Sequence, residues 1–254
     1  MLQEVERHAI NRAARHFPED LYFAPKRSDL LSFIGVMPDA RPLSGVQAKV
    51  KAWVFSSKED AGGWTEQHSS ALPDLPVLVR VLHSGINYKD ALSLTRRAPI
   101  SRQFPMVPGV DLVGTVIEDA SGTFRSGDLV VATGHGLGET SWGAYSEQAR
   151  LKPEWLSLVP EGVTAEHAAA VGTAGLTAAM AIAALERYGI AADQGPVVVT
   201  GPTGGVGSFA TWLLADRGYH VVAATGRPAS VPCPTPAARL PTQTGRGFQP
   251  RRWP

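Results

Sequence analysis

Seven residues, Gly201-Pro-Thr-Gly-Gly-Val-Gly207, hold four glycines between a β-branched run, Val197-Val-Val-Thr200, and an apolar stretch beginning Ser208-Phe-Ala210. Without a Cβ, glycine lets a backbone close tightly on a ligand, and a helix starting behind such a turn aims its unpaired N–H groups at an anion. The spacing departs from a strict G-x-G-x-x-G, so the strand-before, helix-behind context carries the reading of a phosphate loop against that of a structural turn. A second strand-like run, His220-Val-Val-Ala-Ala224, ends in Thr225-Gly-Arg227. Strand, loop, helix, strand is the opening βαβ unit of a dinucleotide-binding fold. Arg227 lies about 20 residues beyond the loop, where an NAD-binding unit carries an acidic residue for the ribose hydroxyls. An arginine and a threonine there favour the 2′-phosphate of NADP(H); the alternative is a solvated loop arginine.

A second group of reactive side chains is Ser84-Gly-Ile-Asn-Tyr-Lys-Asp90. It places an amide, a phenol, an ammonium and a carboxylate directly after a strong strand pattern, where ligand groups often sit. Tyr88 is suited to donate a proton or hydrogen bond to a carbonyl, and Lys89 to meet a phosphate. The same residues also read as a plain strand-to-helix turn in which Asn87 and Asp90 cap the helix. In Phe104-Pro-Met-Val-Pro-Gly-Val-Asp-Leu-Val-Gly114, Asp111 is expected on the core side of a sheet, where a buried carboxylate needs partners. The glycine-rich Gly134–Trp142 stretch brings His135 and Trp142 to a cleft or to a surface loop.

Short strands must hold these groups. Lys51–Phe55 alternates, Val77–His83 is stronger, and Leu112–Glu118, Asp128–Thr133 and Trp155–Val159 follow. Turn signals at Pro108-Gly109, Ser121-Gly122, Ser126-Gly127 and Gly134 to Gly138 separate them, and that spacing predicts a compact, partly open β-barrel. Beyond Pro160 the pattern turns helical. Thr164 reads as an N-cap, an Ala-rich run reaches Val171, and after Gly172-Thr-Ala-Gly175 a second helix is expected over Leu176–Tyr188, closed by Gly189. A β half followed by an α/β half is a two-domain plan.

Composition sets the outer bounds. The 254 residues are 44% hydrophobic and 19% charged, which suits a globular core. A net charge of +1 gives no field that would favour nucleic acid or an anionic membrane. No uninterrupted apolar run is expected to reach membrane-span length, and the acidic start Met1-Leu-Gln-Glu-Val-Glu lacks a secretory core, so the expectation is cytoplasmic, with no membrane partner. Cys233 is the single cysteine, which excludes a disulfide framework and a multi-thiolate zinc site within the sequence.

Taken together, Asn87-Tyr-Lys-Asp90, Phe104 to Asp111, Gly134 to Gly143, Gly172-Thr-Ala-Gly-Leu-Thr177, Gly204-Gly-Val-Gly207 and Thr225-Gly-Arg227 resemble the acrylyl-CoA reductase and quinone oxidoreductase branch of the zinc-free medium-chain dehydrogenase/reductases. The resemblance runs from about Val50 to Arg227, in the family's order. It implies a GroES-like, partly open β-barrel domain followed by a Rossmann domain, with NADP(H) in the cleft between them. It implies that Thr203, Gly204, Gly205, Val206 and Gly207 hold the pyrophosphate, that Thr225, Gly226 and Arg227 receive the 2′-phosphate, and that Tyr88 touches the nicotinamide side. Pro202 departs from the family's small residue and removes one backbone donor. In zinc-dependent relatives two Cys and one His typically hold the catalytic metal; the corresponding positions are Asn87, Val110 and Thr173, and no metal is expected. The implied reaction is hydride delivery to the C=C of an enoyl thioester such as acryloyl-CoA, or to a quinone. Asn87 and Tyr88 are then the donors to the developing enolate, and Asp90 an orienting carboxylate. The family also implies a homodimer for full-length members.

The resemblance ends after Arg227. Pro228 to Pro254 carries Pro232, Pro234, Pro236 and Pro241 with Arg239, Arg246, Arg251 and Arg252, and has neither strand nor helix period. The expected division is 1–49 as an extension outside the native domain, 50–171 as the GroES-like domain, 172–228 as connecting helices with a partial NADP-binding unit, and 229–254 as an irregular tail of frameshifted origin. The competing expectation for function is a truncated, catalytically inactive product of such an enzyme.

Overall fold

The computed structural model describes residues 48–224. The expectations for the first 47 residues, for Thr225, Gly226 and Arg227, and for the 229–254 tail lie outside the described residues. The chain divides into two compact units, Met1–Leu176 and Thr177–Pro254.

In the first unit, β1 (Lys49–Val54) and β2 (Gly63–His68) form an antiparallel pair. Five further strands, β3 (Val77–His83), β4 (Asp111–Asp119), β5 (Leu129–Thr133), β6 (Gln148–Leu151) and β7 (Leu156–Leu158), make an antiparallel sheet in the order β6-β3-β4-β5-β7. The outer strands β6 and β7 do not pair with each other, so the barrel is not closed. The period of two along each strand explains the core. Val77, Val79 and Val81 of β3 meet Leu112 and Val116 of β4, Val130 and Ala132 of β5, and Ala149 and Leu151 of β6 in one apolar cluster.

Two strands escape the sequence pattern. Gly63-Trp-Thr-Glu-Gln-His68 is mostly polar, and its strand form comes from pairing: Trp64 lies opposite Trp53, ring edge to ring face at 5.8 Å. Gln148-Ala-Arg-Leu151 is too short to show a period, yet it completes one edge of the main sheet.

The β3–β4 register shifts between Leu78 and Val79 and again between Val81 and His83. Irregularities of this kind re-aim the chain beside functional sites, and here the second one precedes the short helix α1 (Tyr88–Leu94). The span α2 (Ala165–Arg187) is the two expected helices meeting at a kink, the second starting directly behind Gly172 rather than at Leu176. The break is confined to Gly172, at φ 37° and ψ −147°. Thr164 Oγ1 accepts the His167 N–H at 3.2 Å, the N-cap its position suggests. At the other end, Gly189 donates to the Glu186 carbonyl and Ile190 to the Leu185 carbonyl, with Gly189 at φ 80°, which is a Schellman closure.

By length and mean hydropathy, 1.8, α2 does meet the measure of a membrane span, contrary to the expectation from the apolar runs. Its buried positions Ala168, Val171, Leu176, Ala178, Ala179 and Ile182, and the break at Gly172, are those of a core helix.

In the second unit, β8 (Val197–Thr200) and β9 (Val221–Ala224) pair in parallel, with α3 (Gly205–Asp216) between them in sequence. Phe209, Trp212, Leu213 and Leu214 of α3 are buried, as are Tyr219, Val221 and Ala223. Tyr219 donates its hydroxyl to the Ile190 carbonyl at 2.7 Å, tying the strand that follows α3 to the end of α2.

Leu112 stands at the centre of the main sheet and is 1% exposed, whereas Leu158 is 42% exposed on the outer strand β7. Leu112→Ala is expected to lower the unfolding free energy by about 2–5 kcal/mol, and Leu158→Ala by under about 1 kcal/mol. Urea denaturation of the two variants against the parent checks the contrast.

Candidate active site

The turn after β3 is drawn inward by two carboxylates from different parts of the chain. Asp111, at the start of β4, is 3% exposed. Its Oδ1 accepts the Gly85 N–H at 2.8 Å. Its Oδ2 accepts the Asn87 side-chain amide at 2.9 Å, the Thr173 hydroxyl at 2.8 Å and the Thr173 N–H at 3.1 Å. Its own backbone carbonyl accepts the Ser84 hydroxyl at 2.7 Å. The fit leaves no spare room. A Cβ at Gly85 would lie 2.9 Å from Asp111 Oδ1, and one at Gly172 would lie 2.9 Å from Oδ2, so two glycines are required around one carboxylate.

Asp90, on the first turn of α1, is 1% exposed. It accepts the Asn87 N–H at 2.8 Å, as the acidic residue of a capping box does, and the Val110 N–H at 3.1 Å. Burial pushes its carboxyl up to about 6; the Asn87 N–H pulls it back, and the nearby Asp111 charge adds to the rise. Tyr145 donates its hydroxyl to the Gly85 carbonyl at 3.3 Å, and burial, with the charges of Asp90 and Asp111, pushes its phenol well above the usual tyrosine range. The phenol therefore stays a donor at every working pH.

Of the expected site residues in this unit, Asn87 and Asp90 are brought together, and both readings of the stretch find support: Asp90 caps α1 while the Asn87 side chain turns to Asp111. Tyr88 is the first residue of α1 and is 81% exposed; among the described residues no hydrogen bond ties it to the carboxylates. Lys89 is ion-paired with Glu139, which also lies 4.0 Å from Arg102. Ser84 and Gly85, at the head of the same stretch, join the cluster, and so does Tyr145, which carried no sequence signal. Asp111 did carry one, since a carboxylate in an apolar strand must find donors, but the donors lie up to 62 positions away in sequence. The donor set does not suit a metal: Asn87 and Thr173 turn their polar groups to Asp111, and Val110 has no ligating atom.

His135, at φ 52°, stacks on Trp155 at 5.9 Å, and Trp142 donates its indole N–H to the Pro105 carbonyl at 2.8 Å. With Phe104, Met106 and Lys152 they line a cavity of about 590 Å³, so the glycine-rich loop does border a cleft.

In the second unit, Gly204 is the N-cap of α3, and Gly205, Val206 and Gly207 form its first turn, where no preceding carbonyl exists to take their N–H groups. Thr203 leads into the cap. A Cβ on Gly207 would stand 2.1 Å from the Gly201 carbonyl oxygen and 2.9 Å from Pro202 Cα, so only glycine lets the loop fold against the helix start. Pro202, which brings no N–H to the loop, is buried. A dinucleotide pyrophosphate fits this turn.

Comparison with known proteins agrees with these features. The alcohol dehydrogenase GroES-like domain family matches residues 73–177. The acrylyl-CoA reductase AcuI of Ruegeria pomeroyi is 46% identical over 176 residues, covering 67% of this chain and 53% of that protein. The yhdH oxidoreductase of Salmonella enterica, crystallised in complex with NADP, is 43% identical with a TM-score of 0.66, over 71% of this chain and 56% of that one. The yhfP protein of Bacillus subtilis, crystallised with NAD bound, is 37% identical with a TM-score of 0.68, over 72% and 56%. The chain spans about half the length of the curated relatives it matches.

Asp90 gives a pH test of the carboxylate cluster. Its folded value, about 6, lies above the ordinary 3.8. Its contribution to stability is therefore fully present below about pH 4 and is lost as pH rises through 6, an effect on the order of 3 kcal/mol. Asp90→Asn is expected to remove that part of the slope. Urea denaturation of parent and variant from pH 4 to pH 7 reads the difference; parallel curves would refute a raised Asp90.

Proposed function

Because the chain belongs, over the part of its relatives that it spans, to the acrylyl-CoA reductase and quinone oxidoreductase branch of the medium-chain dehydrogenase/reductases, we propose that it works as an NADPH-dependent reductase of the C=C bond of an enoyl thioester. The observation that carries this reading is the glycine turn at the N-terminus of α3, set between two parallel strands and open to an anion.

NADPH, when bound, supplies the hydride for the β-carbon of the α,β-unsaturated thioester. Thr203, Gly204, Gly205, Val206 and Gly207 hold the pyrophosphate, the first-turn N–H groups meeting its charge. Thr225, Gly226 and Arg227 receive the 2′-phosphate, which favours NADPH over NADH. As the thioester oxygen gains charge, the Asn87 amide and the Tyr88 hydroxyl donate to it, and such donors stabilise most when already oriented. Asp90 fixes the Asn87 backbone at the start of α1. The α-carbon then takes its proton from water.

Purified protein is expected to melt at higher temperature with NADPH than without it, and to consume NADPH when acryloyl-CoA is added. Gly207→Ala should abolish the NADPH-induced shift, and Arg227→Ala should reduce the preference for NADPH over NADH by roughly tenfold. Absorbance at the NADPH band, with a naphthoquinone run in parallel, separates thioester from quinone reduction. No shift and no turnover with either substrate would sink the enzymatic reading in favour of an inactive product.

A further inference from the structure

We propose that Asp111 is the positioning residue of this site: its buried carboxylate spends one N–H of the Asn87 amide and leaves the other aimed at the substrate oxygen. The proposal rests on the enzymatic reading above for the identity of that oxygen, and on geometry for the rest.

An asparagine amide on a short turn has a broad torsion and two N–H groups of equal donor strength. Left alone, the Asn87 amide would sample several orientations. Here its Nδ2 donates to Asp111 Oδ2 at 2.9 Å, while its backbone N–H donates to Asp90 Oδ2 at 2.8 Å. The two carboxylates thus divide the work: Asp90 fixes the backbone of residue 87 and Asp111 fixes its side chain.

Asp111 is itself held from both sides. Gly85 N–H takes Oδ1, and the hydroxyl and N–H of Thr173 converge on Oδ2. Asn87 and Thr173 therefore share one oxygen, joining the start of α1 to the turn of α2 that follows the Gly172 break. Three donors converge on one oxygen, and a Cβ at Gly85 or Gly172 would lie 2.9 Å from the carboxylate, so its place, and with it that of the Asn87 amide, is fixed. Charge-assisted bonds of this kind are short and directional, and they define the plane of the amide they hold.

The test is a double-mutant cycle with a second readout that needs no turnover. Asp111→Asn is expected to lower kcat for acryloyl-CoA reduction by about 10- to 100-fold, with the KM for NADPH within about twofold of the parent. Asn87→Ala should lower kcat similarly, and adding Asp111→Asn to it should cost little more, because Asp111 acts through Asn87. Thr173→Val, which removes one bond at near-constant shape, should reduce kcat less, and Thr173→Ser should recover most of that loss. Independent losses that multiply in the double variant, or a fall in kcat that follows only the folded fraction measured by melting, would overturn the proposal.

In parallel, the Asn87 side-chain NH₂ signals of 15N-labelled protein are expected to be well separated and slow to exchange in the parent and to collapse towards free-amide values in Asp111→Asn. If the parent turns nothing over, the enzymatic reading fails while this measurement still decides the anchor. Equal exchange in parent and variant overturns it.

Discussion

A carboxylate taken out of water must be met by donors or be neutralised, and Asp111 is met by Gly85, Asn87 and both polar groups of Thr173. Those donors belong to the turn after β3 and to α2 beyond its Gly172 break. Asp111 itself begins β4, the central strand of the main sheet. The rigid part of the first unit therefore ends in one charge, and the turns that carry Asn87 and Tyr88 are arranged around it. Asp90 works one layer away, accepting the Asn87 and Val110 N–H groups. Burial pushes the Asp90 carboxyl up to about 6, and the nearby Asp111 charge adds to the rise.

This arrangement explains how the cluster is held together with the residues present. Where relatives with zinc gather side chains on a metal, Asn87 and Thr173 are gathered on a carboxylate oxygen. A carboxylate accepts from several directions but imposes less geometry than a metal, so further constraints are needed. They come from the two glycines that close on it and from the Tyr145 hydroxyl bonded to the Gly85 carbonyl. Donors fixed in this way favour negative charge developing beside them without Lewis acidity.

The glycine turn of the second unit follows a different logic, because its polar groups are backbone. The N–H groups of Gly205, Val206 and Gly207 exist in any helix start. What the sequence adds is the absence of side chains in the way, above all at Gly207, where a Cβ would collide with the Gly201 carbonyl.

Much of this was legible beforehand. The strands Val77–His83 and Asp111–Asp119 follow from alternation, and the Gly204–Gly207 turn from glycine spacing between a strand and a helix, because these patterns are local consequences of backbone geometry. Asn87, Asp90 and Asp111 stood out as polar groups in apolar surroundings, and the need of Asp111 for partners was evident from charge alone. The polar strand Gly63–His68 was not legible, since Trp53 across the ladder rather than its own composition makes it a strand. Nor was the place of the kink in α2: the second helix starts directly behind Gly172, at φ 37° and ψ −147°, where a Cβ would lie 2.9 Å from Asp111 Oδ2. The sequence by itself determined which residue types were available and which local elements would carry them. Tertiary structure alone decided that Asn87 and Thr173 share one oxygen of Asp111, because hydrogen bonds reach about 3 Å and only the packed sheet brings residues so distant in the chain within that range.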